Sequence, residues 1–166
     1  MRGFTIFFAV LVTSLALAIG LSIYDLTIRE LDLSATANQS QYAIYAADTG
    51  AECALYWDTK CTLGGCQAGS AFATSTETDG GTFPPASSSG LFCNTQDISA
   101  AWDVSQRTAT AATTTFTVNF TPQPYCVTVT VAKSGTPTLT TITAHGYNTC
   151  AAGGVTRLER ALQVTY

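Results

Sequence analysis

The sequence predicts an α+β protein. A long N-terminal helix, apolar all round in its first half, packs by its second half on a four-stranded antiparallel sheet, and disulfides staple the body. Three observations predict this. The run from Phe4 to Tyr24 carries no charge, the pattern then turns to apolar residues at steps of three and four, and after Arg107 it turns to strict alternation.

The uncharged run is about 21 residues, or about 31 Å of helix, enough to cross a bilayer core. It has no polar stripe, so lipid or other protein must surround it on every side. Arg2 precedes it and Asp25, Arg29, Glu30 and Asp32 follow it. Positive charge on the short N-terminal flank predicts that this end stays in the cytoplasm and the rest is exported. A cleaved signal peptide or a plain signal anchor is the competing reading. Against the signal peptide, the leading segment is only Met1-Arg2-Gly3 and the apolar run exceeds the usual length of about 7–15 residues.

No proline occurs before Pro84, so one helix can run from Phe4 to near Trp57. Beyond Tyr24 the stripe expected to cover the sheet, from about Asp25 to Trp57, is Tyr24, Ile28, Leu31, Ala35, Asn38, Tyr42, Tyr45, Thr49, Cys53 and Tyr56, widened by Ala46 and Trp57. Gly20 and Gly50 are soft points, and close packing is the expected reason for Gly50.

From Thr59 to Gly90 the composition is that of loops. Glu77 and Asp79 stand beside glycines, but the full calcium-loop pattern is missing, so a solvated turn is expected there. Leu91 to Trp102 has no clear period, with Trp102 as its expected anchor. Four strands follow. Phe116, Val118 and Phe120 alternate with threonines and Asn119; Val127, Val129 and Val131 alternate with Thr128, Thr130 and Ala132; Ile142 and Ala144 alternate with Thr141, Thr143 and His145; Leu162, Val164 and Tyr166 close the chain. One apolar and one threonine-rich face mean an antiparallel sheet, wet on one side. The striped half of the helix is the one large element available to cover the dry side.

All six cysteines, Cys53, Cys61, Cys66, Cys93, Cys126 and Cys150, follow the apolar run and read as a disulfide framework in an exported domain. Sequence alone does not choose among the possible pairings. Cys126 opens one strand and Cys150 follows the strand that returns beside it, so these two are expected neighbours. Cys61–Cys66 and Cys53–Cys93 complete the expected set.

Only seven Lys and Arg are scattered through a chain of net charge −4, so no basic patch exists to bind nucleic acid. No C-x-x-C occurs and His145 is the one histidine, so no metal site or cofactor is expected. His145 falls in phase with the wet threonine face. No nucleophile elbow, P-loop, zinc-protease motif or catalytic carboxylate pair is present, and no enzyme is expected. Asn38-Gln-Ser40 and Asn119-Phe-Thr121 match the N-glycosylation pattern.

A short leader ending in Gly3, then Phe4, an apolar run continuing into a long amphipathic helix, and a cysteine-stapled sheet together resemble a type IV pilin or pseudopilin precursor. Arg2-Gly3-Phe4-Thr5 resembles a prepilin peptidase site. Gln41-Tyr-Ala-Ile-Tyr-Ala-Ala-Asp-Thr-Gly-Ala-Glu52 resembles the helix of PilX-type minor pilins, and Arg157-Leu-Glu-Arg-Ala-Leu-Gln-Val-Thr-Tyr166 that group's last strand. The resemblance covers residues 1–57, and the sheet only in architecture.

The resemblance implies a leader over residues 1–3 cut by prepilin peptidase between Gly3 and Phe4, and an N-methylated amine on Phe4. Residues 4–24 would be the membrane and filament-core half of the helix, and 25–166 the extracytoplasmic domain. The subunit would wait in the inner membrane and then join other pilin subunits in an extracellular pilus. One position departs from the pattern: major pilins usually carry glutamate at the fifth mature position, and here it is Phe8. The departure favours a minor or tip-proximal subunit and leaves open a divergent major pilin. A membrane-anchored adhesin that never polymerises is the alternative function.

Overall fold

The computed structural model describes residues 2–62, 66, 69–75, 90–99, 103–151, 153 and 156–166; the side chains of Arg2 and of residues 103–106 are not among those described. The element order is α1 (Arg2–Thr59), β1 (Phe92–Cys93), β2 (Gln96–Asp97), β3 (Asp103–Arg107), β4 (Ala111–Asn119), β5 (Cys126–Ser134), β6 (Leu139–Tyr147) and β7 (Glu159–Thr165). Contacts divide the chain into two compact units between Asn38 and Gln39.

The C-terminal unit holds the sheet. Its four expected strands are present as β4 to β7, antiparallel and in sequence order, so the α+β reading stands. The structure adds the short strand β3 on the β4 edge, making the sheet five-stranded; its pairing slips in register between Asp103 and Gln106. Asp103-Val-Ser-Gln-Arg107 has no apolar alternation, which is why the pattern gives no sign of it. Leu91 to Ile98 forms the small hairpin β1–β2, turned through Asn94 and Thr95 at φ 48° and 66°. Two consecutive positive φ values make a type I′ turn. A threonine at its second central position hides that turn in the sequence, because glycine is the usual occupant there.

Alternation sorts the sheet's faces. Phe116, Val118, Phe120, Val127, Val129, Val131, Ile142 and Ala144 are buried, joined by Phe72, Leu91 and Ile98 from the segment before the sheet. The rings of Phe72 and Phe116 stack with centroids 5.8 Å apart. On the opposite face threonines face each other across strands: Thr115 with Thr130 at 3.4 Å, Thr117 with Thr128 at 3.3 Å and Thr141 with Thr165 at 3.3 Å. Such cross-strand pairs fix register while remaining wettable. Thr114 lies on the dry face, fully buried, and its hydroxyl has no partner among the described residues.

The helix covers this sheet through a different face from the one expected. Ala43, Ala46, Ala47, Gly50, Ala51, Ala54 and Asp58 are buried. Tyr42, Tyr45 and Tyr56 of the expected stripe are 53%, 63% and 56% exposed, and of that stripe only Ala46, Cys53 and Trp57 join the core. The cover also begins at Gln39, not near Asp25: every described side chain from Phe4 to Asn38 is exposed. The reason is distance. A Cβ on Gly146 of β6 would stand 2.1 Å from the Ala43 carbonyl oxygen, and one on Gly50 would stand 2.7 Å from a Val127 methyl. Glycine and alanine on the helix, with Gly146 on the sheet where the backbones come nearest, allow that approach, so a large-residue stripe cannot be the packing face.

All three expected disulfides are present. Cys53–Cys93 ties α1 to β1, Cys61–Cys66 closes the loop after α1, and Cys126–Cys150 ties the start of β5 to the loop after β6, with Cα separations of 6.0, 5.9 and 5.5 Å. Each restrains the unfolded chain by on the order of 2–4 kcal/mol. The Trp57 indole N–H also donates to the Phe92 carbonyl at 3.1 Å, beside the Cys53 bridge.

Gly146→Ala is expected to destabilise the sheeted unit by about 1–3 kcal/mol or more, since its methyl meets helix backbone and not a movable side chain. Gly153→Ala, with nothing within 4 Å of the added carbon, is expected to leave stability unchanged. Urea denaturation of the purified chain, followed by near-ultraviolet circular dichroism, checks the contrast.

Candidate functional site

The candidate site is the N-terminal half of α1. Gly3 and Phe4 lie in its first turn. Phe4, Ile6, Phe7, Phe8, Val10, Leu11, Val12, Leu15, Leu17, Ile19, Leu21, Ile23 and Tyr24 are all exposed. Hydroxyls of this stretch bond back within the helix. The hydroxyl of Thr13 donates to the Ala9 carbonyl at 2.9 Å, that of Ser14 to Leu11 at 2.9 Å, that of Ser22 to Ala18 at 2.9 Å and that of Thr27 to Ile23 at 2.9 Å. A hydroxyl that bonds back to a carbonyl of its own helix presents lipid with no unmet hydroxyl donor. The chain therefore has one helix, among the described residues, long and apolar enough to span a membrane.

Gly20 does not break that helix, and apart from its own helical neighbourhood nothing lies within 4 Å of the place where its Cβ would be. The first carboxylate, Asp25, pairs with Arg29 one turn on, 3.1 Å away, with both side chains exposed. Such a pair contributes only about 0.3–0.5 kcal/mol; its importance is that it marks where the uncharged stretch ends. Phe8 occupies the position where the resemblance expects glutamate, and it is exposed like its neighbours.

The other singled-out residues scatter. Glu77, Asp79 and the Trp102 anchor lie outside the described residues. His145 is a strand residue on the threonine face, as its phase predicts, but it has a partner: Nδ1 meets Glu159 Oε1 at 2.5 Å, joining β6 to β7. Beside it the Arg157 guanidinium lies 3.9 Å over the Tyr147 ring. Burial, then the nearby Glu159 charge, pushes the Tyr147 phenol up from its ordinary value. Among the described residues no group of three or more His, Cys, Asp or Glu side chains is placed to hold a metal.

Sequence reasoning missed a buried polar node. Asp58, near the C-terminal end of α1, meets the ammonium of Lys133 on β5, with side chains 4% and 6% exposed. Ser70 Oγ donates to Asp58 Oδ1 at 2.5 Å, Lys133 Nζ donates to Ser70 Oγ at 2.8 Å, and the Tyr166 hydroxyl donates to Asp58 Oδ2 at 2.5 Å. A carboxylate at a helix C-terminus faces the negative end of the macrodipole, so the lysine offsets an otherwise unfavourable placement. The node joins helix end, inner strand and chain end. One sign was readable: Lys133 continues the inward phase of Val127, Val129 and Val131, a position where lysine needs a buried partner. Burial, and the bond to Asp58, hold the Tyr166 phenol well above its ordinary range.

No family model, curated protein or solved structure matches this chain.

Lys133→Met is expected to cost about 3–5 kcal/mol because it leaves Asp58 buried and unpaired, and the double change Asp58→Leu with Lys133→Met is expected to recover most of that loss. Urea midpoints of the wild type and these variants test this. The raised phenols of Tyr147 and Tyr166 give an alkaline limit. Their contribution is fully present below the unfolded phenol value of about 10 and is lost as pH rises through it toward the folded values. Tyr166→Phe is expected to flatten that loss, read by following unfolding against phenolate absorbance.

Proposed function

We propose that this chain is a structural subunit, in a minor role, of a type IV pilus or a related filament. It is stored in the inner membrane as a single-pass protein with its sheeted unit outside, then assembled with other pilin subunits through its N-terminal helix. One observation carries the reading: α1 is uncharged and exposed on all sides from Phe4 to Tyr24, on a chain whose other unit is a disulfide-stapled sheet. In a membrane this surface meets acyl chains, and in a bundle it meets the same surface of neighbouring helices. Both environments bury it, so transfer between them exposes little apolar area to water.

Cleavage between Gly3 and Phe4 supports the same economy. It removes Arg2, whose charge would be costly inside an apolar bundle, and leaves an N-methylated amine on Phe4. With Phe8 in place of a carboxylate, this subunit offers no acidic partner to such an amine near its N-terminus. That favours a minor or tip-proximal position. The same absence, with a half-exposed threonine face, supports the second reading, a membrane-anchored adhesin that does not polymerise.

The mature protein is expected to begin at a methylated Phe4 and to leave the cell with sheared surface fibres. Gly3→Val is expected to retain the leader and to be missing from the sheared fraction. Mass spectrometry of the N-terminal peptide and of the sheared material checks both. A start near Asp25 would mean a conventional signal peptide; a Phe4 start with all protein left in the membrane fraction would mean the tethered adhesin.

A further inference from the structure

We propose that the open edge of β7 accepts an extended segment of a partner protein as an added strand, seating an apolar side chain over the groove beside it and a lysine or arginine against Asp48. The inference concerns the sheeted unit alone and does not rest on the filament reading.

Strand order places β7 at the sheet's edge. Thr140 and Tyr166 exchange both backbone bonds, N–H of each to C=O of the other, at 2.9 and 3.0 Å. In an antiparallel ladder hydrogen-bonded pairs recur at every second residue, so Val164, Leu162 and Arg160 face β6 across the register Ile142↔Val164, Ala144↔Leu162 and Gly146↔Arg160. The backbone groups of Ala161, Gln163 and Thr165 therefore point away from the sheet, and among the described residues nothing receives them.

Edge strands are normally blunted by bulges, prolines or charges. The opposite edge, β3, has its register slip and carries Asp103 and Arg107. From Ala161 to Thr165 β7 has none of these: no slip, no proline and no charge. Its dry-face side chains are also incompletely covered. Leu162 is half-buried, Val164 is 37% exposed, and a groove of about 270 Å³ lined by Ile44, Tyr45, Asp48 and Leu162 runs beside it.

Geometry and charge define the occupant. A residue opposite Leu162 on an added strand shares its face, so its side chain falls on the groove. Three of the four lining residues are apolar, and the fourth, Asp48, is exposed with no cationic partner among the described residues. An extended segment alternating apolar and polar residues, with one basic side chain, satisfies the ladder, the groove and the carboxylate together. A second copy fits less well: β7 holds no lysine, and its Arg160 is bonded to Ser40 at 2.8 Å.

The test uses the full chain in lipid nanodiscs and a synthetic peptide alternating valine and threonine with one central lysine. Saturating peptide is expected to slow amide exchange at Ala161, Gln163 and Thr165 by about tenfold or more, the factor one net hydrogen bond supplies. Asp48→Asn is expected to weaken the peptide several-fold. Gln163→Pro deletes an outward donor without touching the β6 ladder and is expected to abolish binding. Should that variant misfold, the same question goes to the peptide: N-methylation of its ladder-facing amides must abolish binding, and N-methylation of the others must not. The proposal is overturned if the three amides are unaffected by peptide, if they are already protected in the free protein, if protection grows with protein concentration alone, or if binding ignores backbone methylation.

Discussion

The closeness of helix to sheet is the constraint on which the sheeted unit depends. Where Gly146 passes under Ala43 and Ala47, and where Gly50 sits against Val127, there is no room for even a methyl group. That contact decides which face of α1 turns inward, and hence which residues stay outside. Alanines and glycine fill the interface because packing contacts fall away steeply with separation, so backbones brought close recover in contact what the side chains lack in area. The tyrosines at Tyr42, Tyr45 and Tyr56 are excluded by size from the very surface their periodicity suggested.

A second constraint acts at the end of the sheet's dry face, where apolar packing gives way to Asp58, Lys133, Ser70 and Tyr166. Both carboxylate oxygens of Asp58 accept from other members, and Ser70 Oγ also accepts from the Phe72 N–H, so the buried ion pair is supported by additional hydrogen bonds. The arrangement anchors three segments far apart in sequence. The disulfides act on the same unit by a different route, limiting the unfolded chain, and two of them hold a helix or strand end to a neighbouring loop or hairpin.

The N-terminal half of α1 obeys a simpler rule. It has no charge between Phe4 and Tyr24, its hydroxyls bond to its own carbonyls, and its side chains await an apolar surrounding. Nothing about this stretch requires tertiary contacts. Composition and helix geometry suffice to specify it, and for that reason it is legible in the residues alone.

The sequence by itself determined the helix, its uncharged half, the four alternating strands, the wet threonine face and, through strand neighbourhood, the nearness of Cys126 to Cys150; the pairing of the other four cysteines was decided by the tertiary structure. These follow from periods of about 3.6 and 2 residues and from loop lengths, which are local properties. Only the tertiary structure decided that the small-residue face and not the tyrosine stripe packs on the sheet, that the cover begins at Gln39, that β3 joins an edge, that Lys133 finds Asp58 and that β7 keeps an open edge. Each of those depends on distances between segments remote in the chain. A pattern of hydrophobicity reports which residues avoid water, but not how near two backbones can come.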